Sequence, residues 1–255
     1  MTHPALIHSP TLIGVGVGPG DPELITVKGA AALRSADVVL VPETDTGTGE
    51  VGRAEQVVLS ACPEVAARVR RVPFSMSQRA GVGAQRRKSW EASAHAAVQA
   101  FAGGAASVAF ATVGDPSVYS TFSYLADHVR AAVPDLHVEV IPGITAMQAL
   151  AAVSRTPLVE AQEVLTLVPV TAGLQQLAEA LEHSDTVVAY KGGRHLAAVL
   201  DLVRQCRPEA TGVLGTDLGL PEQRLVALDA IDATSAPYFS TLLVAPARTA
   251  TGGRL

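Results

Sequence analysis

Cysteine is scarce in this chain: Cys62 and Cys206 are the two in 255 residues, far apart and outside any C-x-x-C pair. That excludes a disulfide framework and the usual zinc spacings, and it fits a reducing compartment. Aromatic residues make up 4% of the chain, with five Phe, four Tyr and one Trp, too few for the stacking surface of an RNA or single-strand binder. Positive charge is also in deficit. With 19 Lys and Arg against 24 Asp and Glu, the net charge is −5, so no global field gathers nucleic acid or anionic lipid, and a polyanionic ligand has to be held by local basic groups. No run of about 18 apolar residues occurs, and Met1 to Pro10 lack the basic start and apolar stretch of a signal peptide. A cytoplasmic protein without membrane or nucleic-acid partner is the expectation. There is no H-E-x-x-H, no G-x-S-x-G, no Cys/His cluster and no fixed-period repeat, so no metal site is expected.

What is present suits a globular protein, with 48% hydrophobic and 17% charged residues, and a length that fits one large domain or two modest ones. Short β-branched apolar runs alternate with Ala-rich amphipathic stretches, the pattern of βαβ units, so the fold class is α/β. Strands are predicted at Thr11–Val15, Asp37–Val41, Ser107–Ala111, His137–Ile141, Val164–Val168, Thr186–Tyr190, Gly212–Thr216, Leu225–Ala227 and Ser240–Val244. Helices are predicted at Pro22–Arg34, Arg86–Phe101, Tyr119–Ala131, Thr145–Val153, Leu174–Glu182 and His195–Gln205. The first has a start signal in Asp21, Pro22 and Glu23. Glu43–Arg53 and Ser75–Gly83 read as polar loops. Pro142-Gly143 interrupts the chain after a strand, and Pro157 follows a short Ala-rich helix before the sheet pattern restarts near Val164. Two α/β domains, 1–145 and 146–255, with a ligand cleft between them, are expected.

Three strand-to-helix turns carry the candidate chemistry. Gly14-Val15-Gly16-Val17-Gly18-Pro19-Gly20-Asp21 is Gly-rich where a turn faces a ligand, yet Gly at i, i+2 and i+5 is not met from Gly14 or Gly16. That disfavours NAD. No Gly-Lys-Ser/Thr follows for a P-loop, and Leu12 stands where common Rossmann-like methyltransferases carry an acid. A tight turn that merely lets backbones approach is the plain alternative. Gly114-Asp115-Pro116-Ser117-Val118 is the second turn, with Asp115 readable as ligand group or helix cap. Pro142-Gly143-Ile144-Thr145-Ala146 is the third. The basic runs Arg68/Arg70/Arg71 and Arg79/Arg86/Arg87/Lys88 read as solvated helix and loop faces that gain interest only with an anionic substrate.

In this order and spacing the three turns resemble the tetrapyrrole methylases, the two-domain methyltransferases of corrin and siroheme synthesis. The resemblance runs from Gly14 to Val244, with G-x-G-P-G-D at Gly16–Asp21, G-D-P at Gly114–Pro116 and P-G-[IV]-[ST]-[AS] at Pro142–Ala146. Residues 114–125, Val72-Pro73-Phe74 with the downstream Trp90, Val188–His195 and Pro237–Ser240 are similar to the members that methylate carbon 20 of precorrin-2. Gly215–Arg224 departs from the Glu-Arg-Ala-type segment that relatives carry before Pro-x-Gln-Arg.

The resemblance implies S-adenosylmethionine as methyl donor, folded into the cleft, a tetrapyrrole substrate beside it, and a homodimer. It places Pro19 in the pocket wall, Gly114, Asp115 and Val118 at the methionine part, Thr145 and Ala146 flanking the ligand, and Tyr190, Lys191, Leu214, Gly215 and Thr216 on the adenosine side. The implied reaction is carbon-20 methylation of precorrin-2 or cobalt-factor II in cobalamin (corrin ring) biosynthesis. Because such substrates are acidic, Arg79, Arg86, Arg87 and Lys88 are the expected holders of their carboxylates. No base for the carbon-20 proton is identified, with Asp115, Glu43, Tyr119 and solvent all open. The rival readings are methylation of uroporphyrinogen III or a later precorrin and, in a separate class, a noncatalytic ligand-binding protein.

Overall fold

The computed structural model describes residues 9–43, 51–73 and 84–248. The chain divides into two compact units, 1–145 and 146–255.

In the first unit, strands β1 (Thr11–Gly16), β2 (Val38–Glu43), β3 (Val69–Pro73), β4 (Ser107–Thr112) and β5 (His137–Ile141) form one sheet in the order β3-β2-β4-β1-β5. Every pairing is parallel. Helices α1 (Val27–Ser35), α2 (Arg53–Ala61), α3 (Ala84–Ala102) and α4 (Phe122–Ala132) cover both faces, which is why these strands read as continuous apolar runs. Successive strand residues point to opposite faces. Ile13, Val15, Val39, Val41, Ala109 and Ala111 pack with Leu33 of α1 and Val57 and Val58 of α2. Leu12, Val38, Leu40, Val108 and Phe110 pack with Ala97 of α3 and Phe122 and Leu125 of α4. Since all five strands run the same way, all their carboxyl ends lie along one edge.

Three sequence expectations change here. The helix expected over Pro22–Arg34 is a 3₁₀ turn, Pro22–Leu24, followed by α1 from Val27. Asp21 accepts the Glu23 N–H at 2.9 Å, and the chain then extends through Ile25 so that the Thr26 hydroxyl can accept the Gly29 N–H at 3.0 Å and start the α-helix. A β-branched pair with a capping hydroxyl outweighs continuation. Arg53, expected to close a loop, instead opens α2, and the basic run at 68–71 leads into edge strand β3. Arg68 donates to the Arg34 and Ala36 carbonyls at 2.9 and 2.6 Å, closing the end of α1. Arg71 makes a two-pronged pair with the buried carboxylate of Glu55 at 2.8 and 3.2 Å. Those two arginines serve the fold. An edge strand tolerates such charged side chains, which hides it from a search for alternating apolar residues.

In the second unit, α5 (Ala146–Ser154) precedes β6 (Leu165–Pro169), α6 (Leu174–His183), β7 (Thr186–Tyr190), α7 (Leu196–Cys206), β8 (Thr211–Thr216), β9 (Arg224–Ala227) and β10 (Ser240–Ala245). The sheet order is β6-β7-β10-β8-β9. β6 and β7 are parallel, whereas β10 runs antiparallel to both β7 and β8, and β9 antiparallel to β8. α6 and α7 cover one face through Leu177, Leu181, Val199 and Val203 over Val187, Ala189, Leu214 and Leu242. On the other face Leu150 of α5 packs with Val188, Val213 and Leu243. Among the described residues no helix is long and apolar enough to cross a membrane.

Candidate functional site

β4, β1 and β5 are neighbours, so the turns that leave them meet at the carboxyl edge of the first sheet, the edge where open α/β sheets hold ligands. The Val17 N–H donates to the Thr112 carbonyl at 3.0 Å. One step on, Gly18 and Gly114 exchange two backbone hydrogen bonds, Gly114 N to Gly18 O at 2.7 Å and Gly18 N to Gly114 O at 3.3 Å. A Cβ on Gly143 would stand 2.2 Å from the Gly114 carbonyl oxygen, and one on Gly16 2.5 Å from the Gly143 nitrogen. Real Cβ atoms do not approach backbone so closely, so only glycine lets the three turns touch. Gly114 itself is different. At φ +72° its missing Cβ would meet nothing nearer than Thr145 Cα at 4.0 Å, so the space beside this glycine is open.

Asp115 locks this arrangement. Its Oδ1 accepts the Ser117 N–H at 2.7 Å and the Ser117 hydroxyl, and its Oδ2 accepts the Gly143 N–H at 2.9 Å. The residue is 8% exposed. Burial pushes its carboxyl pKa up, but the Ser117 side-chain bond and the Gly143 and Ser117 N–H bonds together hold it below the ordinary Asp value. A carboxylate that accepts three hydrogen bonds and titrates below the ordinary Asp value is a poor proton acceptor, which counts against Asp115 as the base. It does not cap α4 either, since the cap position is Thr121. Val118 belongs to the same turn, its N–H donating to the Asp115 carbonyl at 3.2 Å, and Pro19 is buried beside Gly18. Pro19, Gly114, Asp115, Val118 and Thr145 therefore fall in one small neighbourhood of the first unit.

The second group gathers within the second unit. Pairing across the sheet aligns Tyr190 with Thr241 and Thr241 with Gly215, so the carboxyl ends of β7 and β8 flank the start of β10. The Tyr190 hydroxyl accepts the Met147 N–H at 3.0 Å, in the first turn of α5, which draws Ala146 to the same end. Leu214 turns its side chain into the core beneath α6 and α7. Gly215 is small because Leu150 and Leu218 lie against it, at 2.6 and 3.0 Å from a notional Cβ. Thus packing accounts for both residue types, and only their backbone is left for a ligand. Six non-glycine residues among those described have a left-handed φ; Tyr119 (51°), Lys191 (59°) and Asp217 (50°) stand in the β4 turn and immediately after β7 and β8. Such conformations cost about 1–3 kcal/mol and collect at functional sites.

Of the basic candidates, Arg79 lies outside the described residues, and for Arg86, Arg87 and Lys88 the helical backbone at the start of α3 is all that is described. Burial raises the Tyr119 phenol pKa. Among the described residues no group of three His, Cys, Asp or Glu side chains suits a metal ion. Sequence reasoning missed the bracing partners Ser117 and Gly143. The Asp-x-Ser spacing of an Asx-turn signals the first, but the second is 28 residues away and has no local signal.

The tetrapyrrole (corrin/porphyrin) methylase family matches residues 11–232. A precorrin-2 C(20)-methyltransferase of Sinorhizobium is 34% identical over 91% of this chain and 94% of its own length. A cobalt-precorrin-2 C(20)-methyltransferase of Salmonella typhimurium is 32% identical over 91% of this chain and 95% of its own. The cobalamin biosynthesis protein CobIJ of Mycobacterium tuberculosis is 30% identical over 92% of this chain, which spans 46% of that relative. The same fold recurs in the uroporphyrin-III C-methyltransferase of Thermus thermophilus complexed with S-adenosylhomocysteine, at TM-score 0.61 and 21% identity over 92% of this chain and 97% of that one. With the three turns, the sheet order and these likenesses together, the chain belongs to the tetrapyrrole methylases.

Proposed function

We propose that this chain is an S-adenosylmethionine-dependent C-methyltransferase that acts at carbon 20 of precorrin-2 or its cobalt-containing counterpart in corrin synthesis. The observation that carries the reading is near-full-length similarity, at 34% and 32% identity, to two C(20)-methyltransferases. The open space beside left-handed Gly114, at the sheet edge where open α/β folds hold ligands, supports the donor. We assign the donor's methionine part to Pro19, Gly114, Val118 and Thr145, with Asp115 as the brace that holds those turns together. The adenosine part we assign to Ala146, Tyr190, Lys191 and the backbone of Leu214, Gly215 and Thr216. When bound, the donor supplies an electrophilic methyl on a sulfonium, displaced in line by an electron-rich carbon.

The chain's own contribution is to hold the reacting atoms in line and exclude water, which accounts for most of the acceleration in such a displacement. The proton that carbon 20 then gives up is lost in a separate step after the methyl is in place, when the methylated product meets solvent. The test is incubation with methyl-labelled S-adenosylmethionine and a panel of precorrin-2, cobalt-sirohydrochlorin and uroporphyrinogen III, followed by the mass and position of the added methyl. Label at carbon 20 is expected; label elsewhere selects another member reaction, and binding without transfer selects a noncatalytic protein.

A further inference from the structure

We propose that the stacked pair Trp90–Tyr124 is a platform on which the flat face of the tetrapyrrole rests, an assignment that depends on the tetrapyrrole reading above. The two rings lie 4.4 Å apart between centroids and 12° from parallel, so they form one slab. Tyr124 is 48% exposed. Their height on the sheet is fixed by three hydrogen bonds. The Ser93 hydroxyl donates to the carbonyl of Pro73, the last residue of β3, at 2.8 Å. Trp90 is three residues earlier on α3 and so stands roughly 4.5 Å beyond the strand end. Tyr124 is in the first turn of α4, whose start is held by Ser120 Oγ, which accepts the Phe122 N–H and lies 3.2 Å from Thr112 Oγ1 at the end of β4. Both rings therefore lie at the carboxyl edge, the edge that carries the Gly18–Gly114–Gly143 contact.

Composition adds a second argument. The chain has one Trp and four Tyr, and it places Trp90, Tyr119 and Tyr124 along this one edge, with the two tyrosines 42% and 48% exposed. Tyr238 in the second unit is 47% exposed as well, so exposure alone marks nothing; the stacking of Trp90 on half-exposed Tyr124 at this edge is what marks a contact surface. The chemistry matches a tetrapyrrole, which offers a broad apolar face rimmed by carboxylates. Dispersion on an indole–phenol slab recognises the face. Along the helix backbone, positions 86 and 87, both arginine, precede Trp90 by about one turn. Trp90 and Tyr124 are not among the residues assigned to the methyl donor, so the two binding functions separate.

The experiment titrates S-adenosylhomocysteine, then cobalt-sirohydrochlorin, into the wild-type chain and into Trp90→Ala, Trp90→Phe, Tyr124→Ala and Tyr124→Leu. Calorimetry reads the first ligand and visible absorbance the second. The alanine variants are expected to weaken tetrapyrrole binding about tenfold, the loss usual for a stacking ring. Trp90→Phe should recover most of it, and S-adenosylhomocysteine affinity should stay within about twofold of wild type in all four. Should an alanine variant fail to fold, Tyr124→Leu, which keeps helix propensity and bulk but removes the ring, carries the same expectation. Wild-type tetrapyrrole binding that none of the folded variants weakens overturns the platform and leaves the proposed function standing. A wild-type chain that binds S-adenosylhomocysteine but no tetrapyrrole overturns the reading on which the platform rests.

Discussion

At the scale of single residues, Asp115 decides more than its motif announces. Sequence allows it to be a ligand group, a helix cap or a base; the structure adds a further role, bracing two turns with both oxygens. Asn in its place offers one acceptor oxygen where three donors converge, so Asp115→Asn should lose about 1–3 kcal/mol in urea unfolding and weaken S-adenosylhomocysteine binding further than that loss of stability explains. Its pH dependence has a definite sign. A folded pKa below the unfolded value of about 3.9 means that the stabilisation is present above that value and fades as pH falls through the folded one. Asp37 is also shifted down, chiefly by the Ser107 N–H, so the difference between wild type and Asp115→Asn isolates the brace. That difference should shrink below about pH 4; a constant difference across the acid range would show that the carboxylate charge is irrelevant. Gly143→Ala tests the neighbouring contact. With 2.2 Å to a backbone oxygen, the turns must separate, and S-adenosylhomocysteine binding should be lost even where circular dichroism retains the fold.

At the scale of elements, what is legible in the sequence follows from what is local. Among the described residues there are ten strands, and nine were readable, most of them because a strand buried on both faces is a short apolar run whatever its neighbours do. β3 was missed since Arg70 and Arg71 interrupt that run and find their uses in tertiary contacts. α2 was missed because its polar start continues a polar stretch. The antiparallel course of β10 has no signature at all in Ser240–Ala245, as both directions bury the same side chains. Likewise the split of the first helix was hidden behind a strong cap at Asp21, when a second cap, Thr26, governs the longer piece. Thr26→Ala should therefore cost about 0.5–2 kcal/mol of stability in denaturant titration and leave ligand affinity unchanged. Tyr190→Phe is the contrasting case. It removes the acceptor of the Met147 N–H at the start of α5, so it should cost about 0.5–1.5 kcal/mol and, on the proposed assignment, also weaken S-adenosylhomocysteine binding. Equal ligand affinity for Tyr190→Phe and wild type would restrict that hydroxyl to capping.

At the scale of the whole molecule, the difficulty is charge. A chain of net charge −5 repels an acidic macrocycle at long range, so encounter depends on basic groups concentrated where the substrate enters. Arg68 and Arg71 are committed to the Arg34 and Ala36 carbonyls and to Glu55, which withdraws them from that role. Arg86 and Arg87, at the start of α3 and about one turn before Trp90, are the candidates that the backbone places at the right edge. Arg can clamp a carboxylate with two parallel bonds, and contacts at the rim, distant from carbon 20, favour ground and transition states alike. The double variant Arg86→Ala/Arg87→Ala should accordingly raise KM for the tetrapyrrole severalfold, leave kcat near wild type, and show a weaker dependence of KM on salt. Salt also separates this effect from the aromatic platform. Exposed charges are screened within about 10 Å at 0.1 M ionic strength, so the penalty of the arginine pair should shrink as salt is added, whereas that of Tyr124→Ala, which is dispersion and area, should persist. An unchanged KM for the arginine variant at low salt, where its charges act furthest, would place the substrate's carboxylates on other residues.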